Sequence, residues 1–508
     1  IQDINDIDPQ LEIIDWSNIV PHNGLFLRAN GDLRTLVVFI DYNAGQTNFT
    51  DWPDGQPPVN LNTILHHSPT GIPDDQESIS AFFYEASNGQ LRIYGEEVHL
   101  TLPHTKEFQS VSEDIKMALE DYVDPIIDFS DYDNKINYKR GNTTLADGSD
   151  GIVDKIIIVL RDRYPAGKNR GYANLFLPTN LTLDGVQLNV GTFTGSGITN
   201  GWTKGFNQNE LLHIIVHEIG HHFIGSTHPH AKDYEAENYR KHSLLANIAE
   251  KKDGYSPNAY ESWILGWSTP TEITGNQTLT LGDFLKTGQS AFYRVPNTKD
   301  EFYFIENRQK LSHFDDANRN PADKGIVVTQ YKVDRYYSPL DGDSYEPSIK
   351  SITSQGRYEW NYTSDQISHW GAPNIPAFER GDPDRYNGRD HFNMHLKPST
   401  SEYYHLYIID NGDGTFQKDD FFIGEGIVST FNAGSKNSMS SITNPNVLDW
   451  VGNDLDFGFR ILGQTGNDIQ IQFYANFNPY TISGSVTWDN KIYLDQSVTI
   501  NSGASLTI

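Results

Sequence analysis

A helix that is apolar on more than one side has to be buried, and residues 207–225 spell one. Leu211, Leu212, Ile214, Ile215, Val216, Ile219 and Phe223 spread apolar side chains around the cylinder. Asn207 is the predicted N-cap, Glu210 completes a capping-box-like pair, and Gly225 is the predicted stop. Inside this apolar surround lie His217, Glu218 and His221, in the pattern H-E-x-x-H. Residues four apart share a helix face, so the two histidines can aim at one point. Zn²⁺ accepts imidazole nitrogen at about 2.0–2.1 Å, and a catalytic zinc keeps one position for water. Glu218 follows the first ligand directly, which predicts a carboxylate beside the metal, placed to take a proton from water.

Two histidines rarely complete such a site, so a third protein ligand is expected nearby. The pattern H-E-x-x-H-x-x-G-x-x-H would supply it. Here Gly225 lies four residues after His221 instead of three, and His228 follows Gly225 by the usual three. His228 is the expected third ligand, with His230 and Asp233 within loop reach as alternatives. His213, one turn before His217, reads as a packed or supporting histidine, and His222 falls off the ligand face.

The chain has 508 residues, room for two or three domains. It carries 38 Lys and Arg against 67 Asp and Glu, a formal charge of −29. That balance argues against nucleic acid or an anionic membrane surface as a partner. The absence of cysteine excludes disulfides and thiolate metal sites. No stretch approaches the roughly 18 apolar residues of a membrane helix, so no membrane insertion is expected. The first residue is Ile1 and not Met, from which we expect an upstream segment to have been removed or omitted.

Residues 34–41 and 154–160 read as buried strands, 77–88 as a helix, and 90–100 as an alternating strand. Strands and helices thus alternate up to the H-E-x-x-H helix, an α/β-type unit. Residues 174–190 are strand-like, and an edge strand there can hold a peptide by β-augmentation. After Pro270, short alternating segments between Gly, Asn, Asp and Pro predict β-sandwich-like units to about residue 475. Residues 338–400 read as a long polar insertion. The text changes again from Ile482, where repeated Ser-Val-Thr segments suggest a small β-module, a β-solenoid or a terminal strand pair. The chain as a whole reads as α+β, divided at 1–270, 271–475 and 476–508.

Asp128, Asp131, Asp133, Asp147, Asp150 and Asp154 crowd one Gly-containing loop before a strand. Oxygen ligands at short spacing suit Ca²⁺, although Asn134 to Ala146 interrupt any EF-hand spacing. A solvated acidic loop is the other reading.

Several segments, in this order, resemble the immune inhibitor A type of secreted bacterial metallopeptidases. Ser78 to Val98 is similar to that family's segment ahead of the active site. Asp128-Phe-Ser-Asp-Tyr-Asp133 with Gly151-Ile-Val-Asp154 resembles its acidic loop and strand. Tyr260-Glu-Ser-Trp-Ile-Leu-Gly-Trp267 resembles the stretch after the site. Glu301-Phe-Tyr-Phe-Ile-Glu-Asn-Arg-Gln309 and Gly325-Ile-Val-Val resemble the β region that follows. Together these span roughly residues 34–475. The resemblance implies a metzincin-like zinc endopeptidase with calcium support, secreted or held at a cell surface through its C-terminal region, acting on protein or peptide substrates. Two departures stand out. The family's G-L-P-D after the second histidine is replaced by Ile224-Gly-Ser-Thr-His-Pro. Its Met-turn appears as His242-Ser-Leu-Leu-Ala246, with Leu245 in place of Met; Met117, Met394 and Met439 all lie elsewhere. Two other functions fit the same residues: a non-catalytic adhesin on a peptidase scaffold, and a zinc hydrolase of a non-peptide amide. The intact Glu218 speaks against the first.

Overall fold

In the computed structural model, the described residues are 23–24, 27–44, 52–59, 61–73, 78–105, 108–136, 146–161, 170–172, 181–188, 196–200, 208–224, 243–244, 256–296, 298, 301–315, 324–334, 346–352, 360–363, 366–369, 375–376, 394–396, 404–406, 431, 437–440, 447–449, 453–475, 480–482, 485–487 and 498–507. They fall into two units, one ending at Ser268 and one beginning at Thr269. The chain is mixed α and β, with several sheets, none of them closed. No helix among the described residues is long and apolar enough to cross a membrane.

The first unit is organised by β1 (Gly31–Ala44), whose residues Leu36 to Ile40 are all fully buried. It pairs in parallel with β2 (Leu91–Thr105) on one side and β3 (Ile156–Leu160) on the other. The edge strand β4 (Arg170–Tyr172) and β5 (Ser196–Asn200) complete the order β2-β1-β3-β5-β4. β5 runs parallel to β3, and only β4 is antiparallel. Parallel strands covered on both faces need continuous apolar runs, which is why Val37-Val-Phe-Ile40 and Ile156-Ile-Ile-Val-Leu160 do not alternate. Leu36, Val38 and Ile40 of β1 and Ile156, Ile158 and Leu160 of β3 share one core. Ile115 of α2 (Val111–Met117) and Leu119 and Val123 of the π-helical turn after it join that core. The pleat therefore turns Thr35, Val37, Phe39, Lys155, Ile157 and Val159 to the opposite face.

The remaining helices are α1 (Ile79–Ala86), α3 (Gln208–Ile224) and α4 (Ala259–Ile264). Ser78 starts α1 by accepting from Ala81 N, and a complete Ser110–Glu113 capping box starts α2. α3 packs on β4 and β5, and Phe223 near its end meets Phe83 of α1 edge-on at 5.8 Å. Three tethers join the segment before β1 to α3 and to the last residues of the unit. Asn23 N donates to Ile264 O at 3.1 Å, Leu27 N to His222 O at 3.1 Å, and the Trp267 indole N–H to Ala29 O at 2.6 Å.

Of the span 174–190, where strand sequence was expected, residues 181–188 are described, and they form a small hairpin, Thr182–Leu183 with Val186–Gln187, separate from the main sheet; the rest of the span lies outside the described residues. Its turn residues Asp184 and Gly185 both have positive φ, 49° and 81°, as an Asp-Gly turn requires. The sheet edge is instead Arg170–Tyr172, earlier in the chain.

Glu97 on β2 carries a testable charge. Its side chain is 1% exposed and accepts from Leu65 N at 2.9 Å, with His67 Nε2 3.5 Å away. Burial pushes the carboxyl up to about 7, against the opposing pull of the Leu65 N–H and His67. An acid raised on folding lends its full stability below its ordinary pKa of 4.5 and loses it as pH rises through about 7. Glu97→Gln is therefore expected to match wild type near pH 4 and to melt several degrees higher at pH 8. Parallel melting curves for the two proteins over that range would refute this.

In the second unit, β6 (Thr271–Glu272), β8 (Ser290–Arg294), β9 (Glu301–Arg308), β10 (Gly325–Asp334) and β11 (Glu346–Ile352) form one sheet in that order. A second sheet has the order β7 (Gln277–Leu281), β14 (Asp468–Ala475), β13 (Phe457–Thr465), β12 (Ser438–Met439). Both line one core, in which Tyr293 stacks on Phe457 with centroids 4.2 Å apart. β11 lies inside the segment expected to be an insertion, yet it is a strand of the main sheet, paired with β10. At the C-terminal end, Tyr480–Ile482 pairs with Val498–Ile500 and Ser485–Thr487 with Ser505–Thr507. Both pairings are parallel, which a tight hairpin cannot produce and successive coils of a solenoid do.

Candidate metal centre

α3 is buried where it carries the motif. Leu212, Ile215, Val216, Ile219 and Phe223 are at most 1% exposed, and His217, Glu218 and His221 are 2, 6 and 6% exposed. The two imidazoles stand nearly perpendicular, at 86°, and their Nε2 atoms lie 3.2 Å apart. Two nitrogens bound to one tetrahedral zinc at about 2.05 Å are about 3.3 Å apart, so this pair has the span of two ligands on one ion. His222 is also buried, and its carbonyl accepts from Leu27 N.

Glu218 is shaped by two opposing influences. Burial pushes its carboxyl up to about 8, and the Lys155 ammonium pulls it back down. Lys155 is fully buried just before β3, and burial lowers its pKa to about 7 against the pull of Glu218.

His228, His230 and Asp233 lie outside the described residues, as do Asn207, Gly225 and Leu245. Two residues of the segment expected to stand where the resembled family has its Met-turn, Ser243 and Leu244, are described. The Ser243 hydroxyl donates to Glu261 Oε1 at 2.6 Å, and Leu244 N donates to Oε2 at 2.8 Å. The same carboxylate closes the capping box of α4 with Asn258. One glutamate thus fastens the segment after the motif helix to a second helix.

The acidic loop is gathered by its own hydrogen bonds. Asp128 accepts from Ser130 N and Oγ at 3.0 and 2.6 Å, and Asp131 pairs with Arg34 at 2.9 Å. Asp133 accepts from Ser149 Oγ, Asp150 N and Gly151 N at 2.6–2.8 Å. Asp150 accepts from Ile152 N at 3.1 Å, and Asp154 from Asn134 N and Lys135 N at 2.6 and 2.9 Å. Asp147 holds Lys135 at 2.7 Å and Arg28 at 2.9 Å. Among the described residues, no group of three or more His, Asp or Glu is arranged to hold a metal ion. Asp133→Ala removes three bonds to a buried carboxylate and is expected to cost on the order of 2–4 kcal/mol, read from denaturant melts. A loss below about 0.5 kcal/mol would mean that the loop does not depend on it.

Sequence reasoning missed Lys155 and Glu261. The N-x-x-E of a capping box at Asn258 and Glu261 was a readable signal for the second. A lone charge ahead of an apolar strand was the only signal for the first. No family model matches the chain, and no curated protein matches it.

Proposed function

We propose that the chain is a zinc-dependent endopeptidase of the metzincin-like, immune inhibitor A kind, acting outside the cell or at its surface. The observation that carries this reading is the pair of buried imidazole Nε2 atoms 3.2 Å apart, with Glu218 between the two histidines in sequence. His217 and His221 would hold the ion, with His228 as the third ligand. A zinc ion there supplies Lewis acidity, polarising the scissile carbonyl and lowering the pKa of its water toward about 7. Glu218 accepts the proton of the attacking water and passes it to the leaving amine. Lys155 favours the ionised carboxylate that this role needs. β4 is the outermost strand of the sheet on which α3 packs, so a peptide adding to its edge would lie along the same unit as the histidines.

Calcium support is part of the proposal through the family resemblance and not through the geometry. Its place would be the loop of Asp128, Asp131, Asp133, Asp150 and Asp154. Calcium bound only by the folded state raises Tm with concentration. That increment should vanish in Asp131→Ala/Asp133→Ala at fixed zinc, and equal increments in both proteins would move calcium elsewhere. The peptidase reading itself is tested with casein. Cleavage should stop on chelation and return with added zinc, and cleavage indifferent to the chelator would refute it.

A further inference from the structure

A capping box uses one oxygen of the glutamate or glutamine at the third helical position. In α4 that oxygen is Oε2 of Glu261, which accepts from Asn258 N at 3.2 Å. Two further bonds go outside the cap. Oε2 also accepts from Leu244 N at 2.8 Å, and Oε1 accepts from the Ser243 hydroxyl at 2.6 Å. Glu261, Ser243 and Leu244 are all buried. Bonds to an ionised carboxylate are roughly twice as strong as neutral ones, so this is a firm hold on two consecutive residues.

α4 is itself fixed to the end of the motif helix. The segment before β1 bonds to both, through Leu27 N to His222 O and through Asn23 N to Ile264 O. The Trp267 ring, just past α4, meets Phe223 edge-on at 6.3 Å, and Phe223 lies two positions after His221. Ser243 and Leu244 are thereby held at a set place relative to the two imidazoles. The chain leaves α3 after Ile224, and Glu261 holds it again at Ser243. Between these points the sequence carries His228, His230 and Asp233, the candidate third donors. Fixing both ends of a stretch removes freedom that a donor on it would otherwise lose on binding.

We propose that Glu261 is a positioning residue for the metal centre: it closes the stretch 225–242 at its far end and so preorganises the third donor toward the point that His217 and His221 share. The inference rests on the zinc reading for its consequence, and on the contacts of α4 for the closure itself. Glu261 acts through Ser243 and the main chain of Leu244, not by binding the ion.

The test sets zinc affinity, from competition against a chelator, beside thermal melts of the metal-free protein. Ser243→Ala should lower the affinity by about 10-fold, the lower end of what outer-shell partners contribute to a metal site, and Glu261→Ala by more. Ser243→Thr keeps the hydroxyl and should keep the affinity. Ser110→Ala removes the cap of α2, away from this clasp, and shows what general destabilisation does. It should lower Tm yet leave the affinity within about 2-fold of wild type. Unchanged affinity in Ser243→Ala, or an equal loss in Ser110→Ala, would overturn the positioning role, whether or not Glu261→Ala folds. A wild type that binds zinc but cleaves no casein, with affinity still lost in Ser243→Ala, removes the peptidase and keeps the positioning role. A wild type that binds no zinc removes both.

Discussion

Glu218→Gln is expected to keep the fold and the zinc while lowering peptide hydrolysis by about 10²-fold or more. The amide has nearly the same shape, so the helix around it has no reason to move. It cannot accept a proton, and that one lost property isolates general-base chemistry from everything else the residue does. Glu218 is buried with the histidines, so the variant also removes a carboxylate whose burial is costly. Turnover on a peptide measured alongside zinc content decides the matter. Near-wild-type turnover with full zinc would take Glu218 out of the mechanism.

The second large effect concerns the ligand that follows the helix. A zinc ion held by His217 and His221 alone would exchange readily, and the segment after Gly225 is the nearest source of a third donor. Glycine tolerates the positive φ that turns a chain back on itself. The residue before a proline is biased toward extended backbone, so on sequence grounds His228, ahead of Pro229, is expected to have less freedom to lose on binding than His230 or Asp233. His228→Ala should lower zinc affinity by about 10²-fold or more, an effect at least as large as losing an outer-shell partner. His230→Ala should change it little. Competition titrations against a zinc chelator give both numbers. A large loss in His230→Ala or Asp233→Ala, with His228→Ala unaffected, would reassign the ligand and leave the peptidase reading standing.

The elements that were legible in the sequence are those whose signal is local. The apolar runs of β1 and β3 could be read because strands buried on both faces must be apolar throughout. α3 could be read because its histidines and apolar residues repeat at helical spacing. The three residues of β4 could not, because Arg170, Gly171 and Tyr172 have no strand pattern and are strands only by pairing with β5. The Asp184-Gly185 turn was readable and was overlooked in favour of a longer strand. In the acidic loop the residue types were read correctly, but their partners are backbone N–H groups and cations, which composition does not reveal.

The bond from the Trp267 indole to Ala29 spans 238 residues. During synthesis at about 5–20 residues per second, Ala29 emerges roughly 12–48 s before the tryptophan that covers it. For that interval β1 and β2 can pair, but the segment leading into them has nothing to dock on. The motif helix, which receives Leu27 at His222, is itself made late. The nascent unit therefore passes through a long half-closed stage with apolar sheet surface in water. A stalled or truncated chain ending before residue 256 would leave the ribosome in that state, a substrate for holdase chaperones and for proteolysis in place of a closed unit.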